Sequence, residues 1–263
     1  MRIFQVDAFT GRPFAGNPAG VCIMEKPQTD RWMSDVAREM NLSETAFLLR
    51  IDDGYNLRWF TPEVEVDLCG HATLASAHVL WEKGYLRMKE TAKFQTKSGL
   101  LTADYREGWI WMNFPATPDE RVDAPAELLA ALDVEPVYTG KSIYDYIIEV
   151  ESEETVRRIK PDFSIVSKLP ARGVIVTAKA KDKEYDFVSR FFAPAAGVPE
   201  DPVTGSAHCC LGPYWMKKLG KDSFTAFQAS KRGGILKVCV KGDRVLIAGQ
   251  AVTVIEGELL PSE

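Results

Sequence analysis

Arg58-Trp59-Phe60-Thr61-Pro62 is followed by Cys69-Gly70-His71-Ala72, and Arg190-Phe191-Phe192-Ala193-Pro194 is followed by Thr204-Gly205-Ser206-Ala207. Two further pairs keep the same order. Trp81 precedes Gly84 as Trp215 precedes Gly220, and Phe94-Gln95 precedes Gly99 as Phe227-Gln228 precedes Gly233. Matches in register over this distance indicate an internal duplication. A strand hairpin is expected before each Pro motif: 46–51 with 55–60 around the turn former Asp52-Asp53-Gly54, and 173–180 with 185–192. A helix is expected after each glycine stretch. From Ala72 to Lys83 the chain is rich in Ala and Leu, and Gly84 ends the run. Leu74, Ala75, Ala77, Val79, Leu80 and Trp81 cover most of the circumference, so this helix is buried all round. The expected fold is α+β: two pseudo-symmetric domains, each a mixed β-sheet or barrel wrapped around a central α-helix.

Working outward, residues 2–9 and 19–24 read as strands, separated by the turn formers of 11–18. Residues 30–40 read as a helix with Trp32, Val36, Ala37 and Met40 on one face, ending at Asn41. The segment 94–115 reads as three strands, with Arg106-Glu107-Gly108 as one turn. Pro115, Pro118 and Pro125 among charges mark a linker over 116–126, and a short helix follows over 126–132. This divides the chain into residues 1–117 and 118–250. Pro213 is expected to kink or restart the second central helix.

Composition narrows the function classes. The 263 residues are 46% hydrophobic and 26% charged, a globular profile. Thirty-two Lys and Arg against 37 Asp and Glu give −5, which disfavours a nucleic-acid surface. No apolar run is long enough to span a bilayer, and Gln5 and Asp7 interrupt any signal-peptide core, so a cytoplasmic location is expected. The five cysteines (22, 69, 209, 210 and 239) form no C-x-x-C pair. They read as reduced thiols, with no metal site expected.

The chemistry is expected at the two helix starts. The first N–H groups of a helix lack intrahelical partners and carry partial positive charge. Gly70 and Gly205 let a ligand approach that backbone, so two such ends facing one another across a cleft would hold a small anionic substrate. Glycine for packing alone remains the other reading. Asp201 serves either the site or a cap or turn. His71, in a first helical turn, would be held neutral by the dipole and could orient a substrate group, or be structural. His78 is assigned to the core, and His208 is left without a role. Glu44 stands beside an apolar strand, where burial would raise its pKa toward the working pH of a general acid/base; a surface or capping role is the alternative. The matching region of the second half, Arg172-Gly173-Val174, has no carboxylate, and Cys69 is matched by Thr204. Unequal halves point to proton transfer by a single base rather than by one on each face.

These residues also resemble a known family. Val6-Asp7-Ala8-Phe9-Thr10, Gly16-Asn17-Pro18-Ala19, Asn41-Leu42-Ser43-Glu44-Thr45-Ala46-Phe47, Cys69-Gly70-His71-Ala72-Thr73 and Glu200-Asp201-Pro202-Val203-Thr204-Gly205-Ser206-Ala207-His208 together look like the phenazine-biosynthesis PhzF-like family. The resemblance covers essentially the whole chain. It implies the diaminopimelate-epimerase fold, with the active site between two domains and the last strand, around 251–263, returning to the first. It implies an isomerase that moves a proton between carbons of a small carboxylate-bearing metabolite, with catalytic Glu44 assisted by His71 and Asp201. Gly70, Gly205 and Ser206 would be substrate-binding. No metal or organic cofactor and a homodimer are implied. The chain keeps Cys69 alone of the two epimerase thiols, so a one-thiol epimerase or racemase using Cys69 is the alternative, and a silent metabolite- or partner-binding protein is a third.

Overall fold

The structure, a computed structural model, describes residues 1–260. The chain runs β1 (Arg2–Ala8), β2 (Asn17–Met24), α1 (Asp30–Met40), β3 (Glu44–Ile51), β4 (Gly54–Phe60), β5 (Glu65–Val66), α2 (Gly70–Glu82), β6 (Ala92–Thr96), β7 (Gly99–Arg106) and β8 (Trp109–Pro115). It continues through β9 (Glu120–Arg121), α3 (Ala126–Leu132), β10 (Tyr138–Lys141), β11 (Asp145–Glu149), α4 (Glu153–Arg158), α5 (Phe163–Val166), β12 (Gly173–Lys179), β13 (Phe187–Ala193) and β14 (Val198–Asp201). It ends with α6 (Gly205–Leu219), β15 (Ser223–Gln228), β16 (Gly234–Lys241), β17 (Arg244–Gly249) and β18 (Ala251–Glu258). Two compact units emerge: Met1–Asn113 with the segment from Ala248 onward, and Phe114–Ile247.

In the first unit β1 lies antiparallel between β2 and β18. β2 runs parallel to β3, β3 antiparallel to β4, β4 parallel to β6, and β6 antiparallel to β7. The second unit uses the same sequence of directions. β10 is antiparallel to β9 and β11, β11 parallel to β12, β12 antiparallel to β13, β13 parallel to β15, and β15 antiparallel to β16. The repeated Arg in the two Pro motifs has a physical cause. Arg58 on β4 makes two 2.7 Å bonds to the Glu65 carboxylate on β5. Arg190 on β13 grips Glu200 on β14 in the same two-pronged way, at 2.7 and 2.9 Å. Each guanidinium also lies over a strand aromatic, Phe60 or Phe192. These forks pin β5 and β14, the strands that lead into α2 and α6.

The two central helices are nearly all buried. α2 packs on β1, β2, β3 and β18, with every residue from His71 to Ala77 buried. In the second unit α6 packs on β16, and Trp215 stacks on Phe187 of β13. A side chain at Gly212 would press Val238 and Val240, each 3.1 Å from a Cβ there, so glycine lets α6 approach the sheet closely. Pro213 lies inside α6, which runs unbroken, contrary to the expected kink or restart. The proline removes the N–H that would reach the Cys209 carbonyl. The Thr117 N–H takes that carbonyl instead, at 3.1 Å.

Other expectations shift as well. α1 spans 30–40, is capped by Thr29 and closes on left-handed Asn41, but Met33, Val36 and Ala37 are its buried residues, with Trp32 and Met40 only at the margin. The expected linker 116–126 is tied into the second unit, through the Thr117 bond, an Ala116 N–H to Asp243 carbonyl bond of 2.8 Å and the pairing of β9 with β10. His78 is not core: its ring is part-exposed and stands 3.5 Å from the Glu82 carboxylate one turn on. Glu107 and Gly108 both adopt positive φ, the requirement of a tight two-residue hairpin turn between β7 and β8. Among the described residues no helix is long and apolar enough to cross a membrane.

Candidate active site

Glu44 is the first residue of β3, beside Ala19 of β2 in the parallel register. Its side chain is 18% exposed. The preceding Asn41 turns the chain out of α1 in a left-handed conformation, so the helix stop places the carboxylate at the strand's mouth. His71, in the first turn of α2, brings Nε2 to 3.3 Å from Oε2 of Glu44. Cys69, just before that turn, brings Sγ to 3.5 Å from Nδ1 of the same ring. Both Cys69 and His71 are 6% exposed. Burial pushes the His71 imidazolium down to about 4, so the ring is neutral at pH 7. These three groups, thiol, imidazole and carboxylate, form one cluster. They could be read as metal ligands, since one ligand atom of each lies within 4.8 Å of the others. The two contacts use different ring nitrogens, Sγ at Nδ1 and Oε2 at Nε2.

In the second unit Asp201 ends β14 and Thr204 precedes α6. The Thr204 hydroxyl donates to Oδ2 of Asp201 at 2.5 Å. Gln228, fully buried on β15, holds this corner: its Oε1 accepts from the Thr204 N–H at 2.8 Å, and its Nε2 donates to the Asp201 carbonyl at 2.8 Å and to the Thr204 hydroxyl at 3.1 Å. The hydroxyl direction is thereby set, donor toward Asp201. Sequence reasoning passed over Gln228 as an active-site support, treating it only as half of a repeat marker. Its burial is the signal, because the matching Gln95 is exposed.

Neither Cys69 nor Thr204 caps its helix with a side-chain hydrogen bond, and neither α2 nor α6 has an acidic residue in its first turn. By contrast Thr29, Ser152 and Asp162 cap α1, α4 and α5. The first amides of α2 and α6, at Gly70 and at Gly205 and Ser206, are thus left for another acceptor in each unit. The halves differ at the strand mouth. Where β3 begins with Glu44, β12 begins with Gly173, and a Cβ there would meet the Phe191 ring at 2.5 Å. The second unit has no room for a carboxylate at that place.

His208 is fully buried, with Nδ1 2.8 Å from the Thr204 carbonyl and its ring stacked on Phe187. It supports the start of α6 from inside. Burial lowers its pKa to about 4, against the weaker opposing effect of the carbonyl bond. Below about pH 6.5 the unfolded chain protonates this residue and the folded one does not. Stability is therefore fully present above that pH and is lost as the pH falls toward 4. His208→Phe is expected to reduce the slope of unfolding free energy between pH 6 and 4.5 by about 1.4 kcal/mol per pH unit, the share of one proton. Urea melts across that range check it, and equal slopes in both proteins would contradict it.

Comparison with known proteins now bears on this arrangement. The family model for phenazine biosynthesis-like proteins, PhzC-PhzF, matches residues 6–257. An uncharacterized isomerase of Halalkalibacterium halodurans is 55% identical over 259 residues, with 98% of each chain covered. The crystal structure of a PhzF-family protein of Enterococcus faecalis superposes with a TM-score of 0.95 at 43% identity, covering 99% of both chains. A probable proline racemase of Agrobacterium radiobacter, at 14% identity and a TM-score of 0.64 over 99% of this chain and 93% of that one, shares the fold alone. The α+β fold read from the duplication is thus the epimerase-like fold. This chain belongs to the phenazine biosynthesis-like PhzC-PhzF family and is an isomerase.

Proposed function

We propose that the protein moves a proton between carbons of a small carboxylate-bearing metabolite, with Glu44 as the single general acid/base. The observation that carries this reading is the asymmetry of the halves: Glu44 beside His71 in one, Gly173 and a Thr204 hydroxyl committed to Asp201 in the other. Glu44 takes a proton from a carbon made acidic by conjugation and returns it elsewhere on the same molecule. His71, neutral at working pH, orients the carboxylate and the substrate's polar group. Asp201, steered by Thr204 and Gln228, meets a second polar group. The amides at Gly70, Gly205 and Ser206 hold the substrate carboxylate and the charge that develops during transfer. No step calls for a metal or organic cofactor, and the homodimer and cytoplasmic location implied by the resemblance belong to the same reading.

The contact of Cys69 with His71 supports a second reading, in which the thiolate is the base of an epimerase or racemase. The neutrality of the neighbouring His71 ring opposes it, because that ring brings no positive charge to favour a thiolate. Incubation in deuterated water with a panel of small amino acids and cyclohexadiene carboxylates tests the function. Label entering a cyclohexadiene carboxylate together with double-bond migration is the expected result. Label entering only the α-carbon of an amino acid, with inversion, would establish the thiol reading instead. Binding by thermal shift with no label anywhere would mark a silent binding protein.

A further inference from the structure

The proposed chemistry gives Cys69 no task, yet its thiol is buried and lies on the ring that supports Glu44. A neutral imidazole has one N–H and one lone pair, so the cluster of thiol, imidazole and carboxylate allows two proton arrangements. In one, the proton is on Nε2, beside the Glu44 carboxylate, and Nδ1 accepts. In the other, Nδ1–H points at sulfur and the Nε2 lone pair faces Oε2 at 3.3 Å. The second is repulsive whenever Glu44 is ionised, which is the state a base must occupy before each turnover. The first requires a donor on the Nδ1 side, and Cys69 places one there at 3.5 Å.

The second unit offers a parallel. At the same position before its central helix, the Thr204 side chain also leaves the helix amides alone and directs its proton to Asp201. In both units the residue before the helix orients an acid/base neighbour instead of capping.

We propose that Cys69 is a positioning residue that selects the tautomer of His71, its S–H donating to Nδ1 so that the ring carries its proton on Nε2, the nitrogen that faces the Glu44 carboxylate. Cys69 forms no bond to substrate and carries no transferred proton. The inference rests on the reading of Glu44 as the base, but its first test needs no substrate. In protein labelled with 15N-histidine, the His71 ring at pH 7 is expected to show protonation on Nε2. Cys69→Ala is expected to shift the ring toward the Nδ1–H form and to slow turnover about tenfold, the worth of one modest hydrogen bond. Cys69→Ser, which keeps an O–H donor, is expected to restore the tautomer and to bring the rate to within about threefold of the parent. The rings of His78 and His208 report in the same spectra that each variant is folded. A parent ring protonated on Nδ1, or ring signals unchanged in Cys69→Ala, would overturn the proposal whether or not Glu44 is the base. Loss of turnover in Cys69→Ser as complete as in Cys69→Ala would also overturn it, by making the thiol itself the base.

Discussion

Glu44→Gln is expected to slow the isomerisation by about a thousandfold, within the range that general acid/base catalysis contributes, while the fold is unchanged. Glutamine keeps the length and one carbonyl oxygen, so the polar surroundings of the His71 ring are preserved. The backbone of β3 pairs through main-chain groups that the substitution does not touch. What is lost is the ability to accept and return a proton. Initial rates of substrate conversion, with a melting temperature as control, provide the measurement. A variant within about threefold of the parent rate would remove Glu44 from the chemistry. His71 contributes differently: a ring held neutral by burial and packed 3.3 Å from a carboxylate is an orienting group, so its loss would also disturb the geometry in which Glu44 works.

The largest effect on stability is expected at Trp215, where truncation to alanine would cost about 3–5 kcal/mol. The side chain is 1% exposed and lies nearly parallel to Phe187, with ring centres 5.5 Å apart and planes 8° from parallel. Tyr214 meets it edge-on. Its indole N–H donates to the Thr177 hydroxyl at 3.1 Å, and that hydroxyl in turn donates to the Val188 carbonyl at 2.7 Å. Truncation would open a cavity between α6 and the sheet and leave a buried hydroxyl short of a donor. Trp215→Phe should recover most of the packing but not the hydrogen bond, a loss of about 1–2 kcal/mol. Chemical denaturation reads both. A Trp215→Ala cost below about 1 kcal/mol would mean that α6 is not held as described.

Much of this was readable in the chain because the duplication repeats physical devices and not merely letters. Arg58 and Arg190 stand in matching motifs since each must fork onto a carboxylate on the next strand. The partners, Glu65 and Glu200, escaped notice because they sit at different separations from their arginines, seven and ten residues on. Helix α1 is readable end to end from periodicity and Asn41, but periodicity puts Trp32 on its buried stripe, where the inward residue is Met33. A large aromatic weighs heavily in a sequence pattern and can still lie at the edge of a core. Pro213 departs from expectation for a different reason: the Thr117 N–H that compensates a helix-breaking residue comes from a distant segment that reads, in sequence, as a linker.

At the site, residue type carried the reading further than position did. A glutamate before an apolar strand and a histidine in a first helical turn were each recognisable as chemistry. That Glu44 and His71 lie 3.3 Å apart could not be read, because β3 and α2 are brought together only by packing. The same holds for Gln228, whose amide satisfies three groups of the Asp201 corner from a strand that follows α6.

The central claim is that one carboxylate both removes and returns the proton, and the fate of that proton tests it most directly. A compound from the panel that turns over would be prepared with deuterium at the carbon that loses the proton, and converted in ordinary water to a few per cent completion. A single base that holds the proton in a closed site returns part of it to the same molecule. The account therefore predicts product in which a measurable fraction of the label has moved to the new carbon, and loss of that transfer in Glu44→Gln. Complete washout of label at the earliest times in the parent enzyme, with unchanged turnover in Glu44→Gln, would contradict it.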